Sequence, residues 1–161
     1  MSITIRTANP EDAPLLVEFI LALADYEKLL HEAEPNAVQL QHDLSKGRIH
    51  ALVADDTDAD RAVGFALYFY NYSTFLTRPG IYLEDLFVRP GDRGRGAGFA
   101  LLQRLAHIAV REGCGRLEWS VLDWNEPSIR FYKQLGAESM DDWTTMRVTG
   151  NALQHLGGSA K

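Results

Sequence analysis

The 161-residue chain predicts a mixed α/β domain in the order β-α-α-β-β-β-α-β-α-β. Three observations carry that expectation. Segments of strand period and helix period follow one another with no repeat, low-complexity tract or linker between them. In the middle, three strands succeed each other without an intervening helix. A glycine-rich run, Pro90 to Gly98, then joins the third of these strands to an amphipathic helix.

Ser2 to Thr7 alternates apolar and polar residues, the strand period. Asn9-Pro10-Glu11-Asp12 reads as a helix start, with a cap, a proline at the first helical position and acids in the first turn. That helix places Leu15, Leu16, Phe19, Ile20, Leu23 and Ala24 on one face and runs to about Leu29-Leu30-His31. Pro35-Asn36 introduces a shorter helix, ending near Ser45 before Gly47. Ile49 to Ala54 is a strand, Asp55 to Asp60 an acidic hairpin turn, and Ala62 to Tyr72 a long strand. Thr77 to Gly80 turns into the strand Ile81–Val88. Gly96 to Glu112 is a helix with Leu101, Leu102, Leu105, Ile108 and Ala109 inward. Leu117 to Leu122 is a strand, Glu126 to Leu135 a helix capped by Gly136, and Glu138 to Val148 an irregular last strand.

Composition bounds the rest. Hydrophobic residues at 46% and charged residues at 24% suit one soluble globular domain over 1–161, with a core of about 4–148 and a short tail, 149–161. A net charge of -6 speaks against nucleic-acid binding, which wants a basic face. The single cysteine, Cys114, excludes an internal disulfide, and the five histidines have no ligand spacing, so no metal is expected. No apolar run reaches the roughly 18–20 residues of a membrane span. The start, Met1 to Arg6, has no signal-peptide core, so a cytoplasmic protein is the expectation.

The glycine run carries chemistry. Gly94, Gly96 and Gly98 alternate with Arg95 and Ala97, which lets backbone approach a ligand without Cβ atoms in the way. The helix opening there leaves its first N–H groups without intrahelical partners, an anion site suited to a phosphate or pyrophosphate. Arg93 and Arg95 add positive charge. A Walker A loop would end in Gly-Lys-Ser/Thr, and a dinucleotide fingerprint would need glycine where Phe99 stands.

The pattern that fits is Arg93-x-x-Gly96-x-Gly98, which resembles the acetyl-CoA pyrophosphate loop of the GNAT N-acetyltransferases. A second segment, Asn125 followed by a helix ending Phe131-Tyr132-x-x-x-Gly136-Ala137, resembles that family's other signature. Tyr26-Glu27-Lys28-Leu29, Tyr70 to Thr74, Ile81 to Asp85 and Val121 to Asn125 are similar to the diamine (spermidine/spermine) acetyltransferase subfamily, and most similar to its thialysine-acetylating branch. The resemblance spans roughly Thr4 to Val148. It implies a central, mostly antiparallel mixed sheet flanked by helices, acetyl-CoA as cosubstrate, and a homodimer acting on a small-molecule amine.

Residue by residue, the resemblance makes Tyr132 the acid that protonates the departing thiolate and Glu84 the group that steers and deprotonates the amine. Leu86, Phe87 and Val88 would offer backbone groups to the pantetheine arm. Arg93, Gly94, Arg95, Gly96, Ala97, Gly98 and Phe99 would hold the pyrophosphate, with Asn125 and Ser128 touching the pantetheine. Tyr26, Glu27, Ser73, Glu84 and Asp85 would meet the amine. Strand alternation sends Glu84 and Asp85 to opposite faces. Ser73 stands where polyamine-preferring relatives carry aspartate, which favours a lysine-like amino acid such as thialysine. The alternatives are diamines or polyamines, a protein amine, and a non-catalytic acyl-CoA sensor. A nucleotide-binding module is disfavoured by Phe99 and the second signature.

Overall fold

The structure, a computed structural model, describes residues 2–158. The single-domain expectation over 1–161 and its tail therefore touch residue 1 and residues 159–161, which lie outside the described ones. The chain forms two compact units, Met1–Leu122 and Asp123–Lys161.

The first unit is a five-stranded sheet in the order β1-β2-β3-β4-β5, formed by β1 (Ile3–Thr7), β2 (His50–Asp56), β3 (Arg61–Ser73), β4 (Arg78–Val88) and β5 (Leu117–Trp119). The first four strands pair antiparallel. The last pair, β4 with β5, is parallel and short, running only from Ile81↔Leu117 to Leu83↔Trp119. Short turns join β2 to β3 and β3 to β4, while residues 8–49 lie between β1 and β2, and Asp60 in the β2–β3 turn adopts a positive φ of 50°, which aspartate tolerates better than most residues.

Helix α1 (Ala13–Tyr26) lays Leu16, Phe19 and Leu23 on one face of the sheet, against Ala51, Val53, Phe65, Leu67 and Phe87. Phe19 stacks on Phe65 at 5.3 Å between ring centroids. Helix α3 (Ala97–Arg111) crosses β1 to β4 with Leu101, Leu102, Leu105 and Ala109 buried. The strand pleat supplies Leu52 and Ala66 for the other face, and both are buried. Helix α2 (Ala37–Ser45) starts where Asn36 accepts a hydrogen bond from the Gln39 N–H at 2.9 Å, a side-chain N-cap.

Three boundaries differ from expectation, the first being that β4 starts at Arg78, so its turn falls at residues 74–77 and not at Thr77 to Gly80. Helix α1 stops at Tyr26, short of Leu29-Leu30-His31, because Lys28 takes a left-handed φ of 63°. Strand β5 is three residues, not six.

The second unit holds helices α4 (Glu126–Gln134) and α5 (Gly150–Gly157). The expected strand over Glu138–Val148 does not form, so the last elements run α4-α5. Asp141-Asp142 favours a turn, and the Trp143 N–H bonds the Met140 carbonyl at 3.2 Å, which interrupts the extended run.

Candidate active site

Strand β4 builds one wall of the site through a defect in its pairing. Leu67 of β3 faces Asp85, and the next residue, Tyr68, faces Leu83. One step on β3 thus spans two on β4, and Glu84 is the extra residue of a β-bulge. A bulge interrupts alternation and re-aims the side chains beside it. Simple alternation therefore no longer assigns Glu84 and Asp85 to opposite faces. Glu84 acts electrostatically on Glu27, the residue that caps α1, and Glu27 in turn acts on Asp85.

Glu27, Glu84 and Asp85 form a cluster of like charge. Asp85 is half-buried, and its carboxyl is pushed up to about 7, first by burial and then by Glu84 and Glu27. Burial, with Glu84 second, also raises Glu27. Glu84 itself is exposed. Such a cluster favours a proton or a cation at neutral pH. Tyr26, the last residue of α1, adjoins it in sequence, and its ring lies under the Arg93 guanidinium at 4.6 Å.

Past Leu83, no strand among the described residues pairs with β4 on its outer side, since β5 pairs only to that residue. Residues 84–88 thus present an open strand edge. The Arg89 N–H bonds the Val63 carbonyl at 2.8 Å, toward β3. By alternation, the N–H and C=O of Val88 point the other way, to the open edge. An extended, amide-bearing ligand can add to such an edge as a strand would.

The edge runs straight into the glycine loop. A short 3-10 turn, Pro90–Asp92, is pinned by Asp92, whose buried carboxylate takes two hydrogen bonds from Arg61, Nη1 at 2.8 Å and Nη2 at 2.6 Å. The Arg61 guanidinium holds that carboxyl below its usual range. Gly94 and Gly96 then adopt φ of 76° and 88°, left-handed values that favour glycine. Gly96 caps α3 without a side chain, so the opening N–H groups of the helix stay uncovered by one. Ala97 is buried beneath the loop, while Arg95 and Phe99 are exposed.

The second unit carries the remaining predicted residues on or beside α4. Asn125 is buried at the helix N-terminus, where its carbonyl accepts the Ile129 N–H at 3.1 Å. Ser128 and Tyr132 are half-buried. The rings of Phe131 and Tyr132 lie 5.7 Å apart and tilted by 49°. Ser73 is not brought to the carboxylates. It ends β3, five residues beyond Tyr68 and about 16 Å along the strand at 3.3 Å per residue. It is buried, and its hydroxyl accepts the Leu76 N–H at 3.2 Å, so it serves the β3–β4 turn.

Sequence reasoning missed the Arg61–Asp92 pair and the place of the Arg93 side chain. Neither has a local signal, because the partners lie far apart in the chain. Among the described residues no helix is long and apolar enough to cross a membrane, and no group of three or more His, Cys, Asp or Glu side chains is arranged to hold a metal ion.

Residues 17–137 match the family model described as Acetyltransferase (GNAT) family. The chain is 33% identical to the thialysine N-epsilon-acetyltransferase of Mus musculus, with 98% of each protein covered. It is 33% identical to an L-ornithine N5-acetyltransferase of Arabidopsis thaliana, with 94% of this chain and 86% of that protein covered. Among solved structures, an integron cassette protein from the mobile metagenome of V. cholerae superposes with a TM-score of 0.82 at 28% identity, covering 99% of both chains.

Proposed function

The chain belongs to the GNAT acetyltransferase family, and from that premise we propose that it moves an acetyl group from acetyl-CoA to the side-chain amine of a small, lysine-like amino acid such as thialysine. The observation that carries this reading is the Glu27–Glu84–Asp85 cluster beside the open edge of β4. The family match runs across the boundary at Leu122, which supports one acetyltransferase domain made from both units.

The chemistry sets the tasks. An alkyl amine has a pKa near 10 and arrives as an ammonium, which cannot attack. A cluster of carboxylates attracts that cation and takes its proton. Glu84, exposed on the bulge, is assigned the contact with the amine. Asp85, with its carboxyl near 7, is matched to holding a proton at working pH. The freed lone pair attacks the thioester carbon. A C–N bond forms, the C–S bond breaks, Tyr132 gives its phenolic proton to the leaving thiolate, and the proton that the nitrogen sheds on becoming an amide restores the phenol. The open edge Leu86 to Val88 suits the amides of the pantetheine arm. The glycine loop, with Gly94, Gly96 and Gly98, suits the pyrophosphate.

The choice of an amino acid rests on the relatives, which are named for thialysine and L-ornithine. Ser73 gives it no support, because its hydroxyl is committed to a turn. One feature favours a second reading, diamines or polyamines: the cluster holds more negative charge than one ammonium neutralises. The expected assembly is a homodimer in the cytoplasm, and sedimentation of the purified chain as a monomer would contradict the dimer.

The test is release of free CoA from acetyl-CoA with thialysine, lysine, ornithine, putrescine, spermidine and a lysine peptide. A kcat/KM for thialysine or ornithine at least tenfold above that for spermidine, about 1.4 kcal/mol of transition-state discrimination, is the expected result. A spermidine preference replaces the amino-acid reading with the polyamine one. No turnover with any amine, despite tight acetyl-CoA binding, points to a sensor instead.

A further inference from the structure

Arg93 begins the glycine loop, but its side chain does not turn toward the loop. Its Nε–H donates to the Val88 carbonyl at 2.9 Å. Its guanidinium lies 4.6 Å from the centroid of the Tyr26 ring and 5.5 Å from that of Phe87. Phe87 is a buried core residue, tilted against Phe19 at 6.3 Å, and so forms a fixed floor. Tyr26 is more than a third exposed and ends α1, one residue before Glu27. One planar cation thus bridges the start of the loop, the open edge of β4 and the last turn of α1.

The two ends of this bridge have different tasks in the proposed reaction. Val88 and the loop belong to the acyl-CoA half, Tyr26 and Glu27 to the amine half. We propose that Arg93 is a positioning residue that ties these halves together, holding Tyr26 and the Glu27-bearing end of α1 against the cofactor loop. The inference rests on the acetyl-transfer reading above. It gives Arg93 a task other than phosphate charge: the Nε–H is used on Val88 and the flat face on the two rings. A lysine keeps the charge but has neither the Nε–H nor the plane.

The test uses the full chain and whichever amine of the panel the wild type acetylates best. Acetyl-CoA affinity is measured by calorimetry, and kcat and KM for the amine by CoA release, in wild type, Arg93→Lys, Tyr26→Leu and the double variant. The expected result for Arg93→Lys is an amine KM raised about two- to fivefold, the range a partly exposed cation–π contact supports, with acetyl-CoA affinity within twofold of wild type. Tyr26→Leu raises the amine KM as well, and the double variant is no worse than the poorer single one, the signature of a shared contact. Thermal unfolding and an Arg93→Met variant separate coupling from misfolding: a folded Arg93→Met must show the same KM defect. Weakened acetyl-CoA binding with an unchanged amine KM makes Arg93 a phosphate ligand and overturns the inference. So do multiplicative effects in the double variant. Both results leave acetyl transfer standing. A wild-type chain that acetylates no amine of the panel overturns both readings.

Discussion

Asp85→Asn should stabilise the protein, and only where Asp85 would be ionised. The Asp85 carboxyl sits at about 7 in the folded chain, against an ordinary 3.8. The folded state therefore holds its proton over a pH range in which the unfolded chain has released it. Stability must fall as pH rises from about 4 to about 7 and stay at the lower level above that. Each pH unit of separation is 1.36 kcal/mol, so the full effect is about 4 kcal/mol. Salt screens the part that comes from the exposed Glu84, and local relaxation eases the burial cost, so about 2 kcal/mol is the expected value in 0.1 M salt. Asparagine resembles the protonated acid in shape and carries no charge.

The assay is urea unfolding of wild type and Asp85→Asn at pH 4.5, 6.5 and 8. The curves should nearly coincide at the lowest pH and separate by about 2 kcal/mol at pH 8. That is roughly 4–8 °C in Tm for a chain of this size. A variant no more stable than wild type at pH 8, or a difference that does not change with pH, would refute the argument that Asp85 is a strained carboxyl. The same variant should lose activity, since a group held at an energetic disadvantage in the free protein is the one a cationic substrate can relieve.

Other perturbations test other parts of the site. Tyr132→Phe should lower kcat by about 10²–10⁴-fold, the usual worth of a positioned acid, with acetyl-CoA affinity unchanged by calorimetry; wild-type turnover would remove Tyr132 from the mechanism. Gly64→Ala would place a Cβ 2.6 Å from the Phe87 carbonyl oxygen and 3.2 Å from the Val88 Cα. Since both contacts are backbone, β3 and β4 must part there, at a cost of about 1–3 kcal/mol in a urea titration; a neutral substitution would mean that the close β3–β4 pairing at Val88 is wrong.

What was legible in the sequence was what neighbours in the chain decide. The apolar face of α1, the start of α2 after Pro35-Asn36, the hairpin turn at Asp60 and the end of α4 before Gly136 are each set by a few consecutive residues, and the structure has all of them. Strand Glu138–Val148 failed for the converse reason. A run of strand-forming residues becomes a strand only when another strand pairs with it, and a turn at Met140–Trp143 was the local alternative. Ser73 was assigned a role by resemblance, while its hydroxyl answers to an N–H three residues away.

The carboxylate wall shows most clearly why a site is harder to read than a fold. Period-two alternation is correct for β4 up to Leu83 and again from Asp85. The exception at Glu84 belongs to the register between β3 and β4, which no window of sequence around Glu84 contains. Yet that one extra residue brings Glu84 and Asp85 into a common field with Glu27, more than fifty residues earlier. The bulge also lies where β4 parts from β5, so the charge cluster and the open edge begin at the same point of one strand. Amine and acyl donor would then meet at a defect in sheet pairing. A variant that restored regular pairing, by deleting Glu84, should leave the antiparallel sheet intact while separating Asp85 from Glu27 and abolishing the raised Asp85 titration.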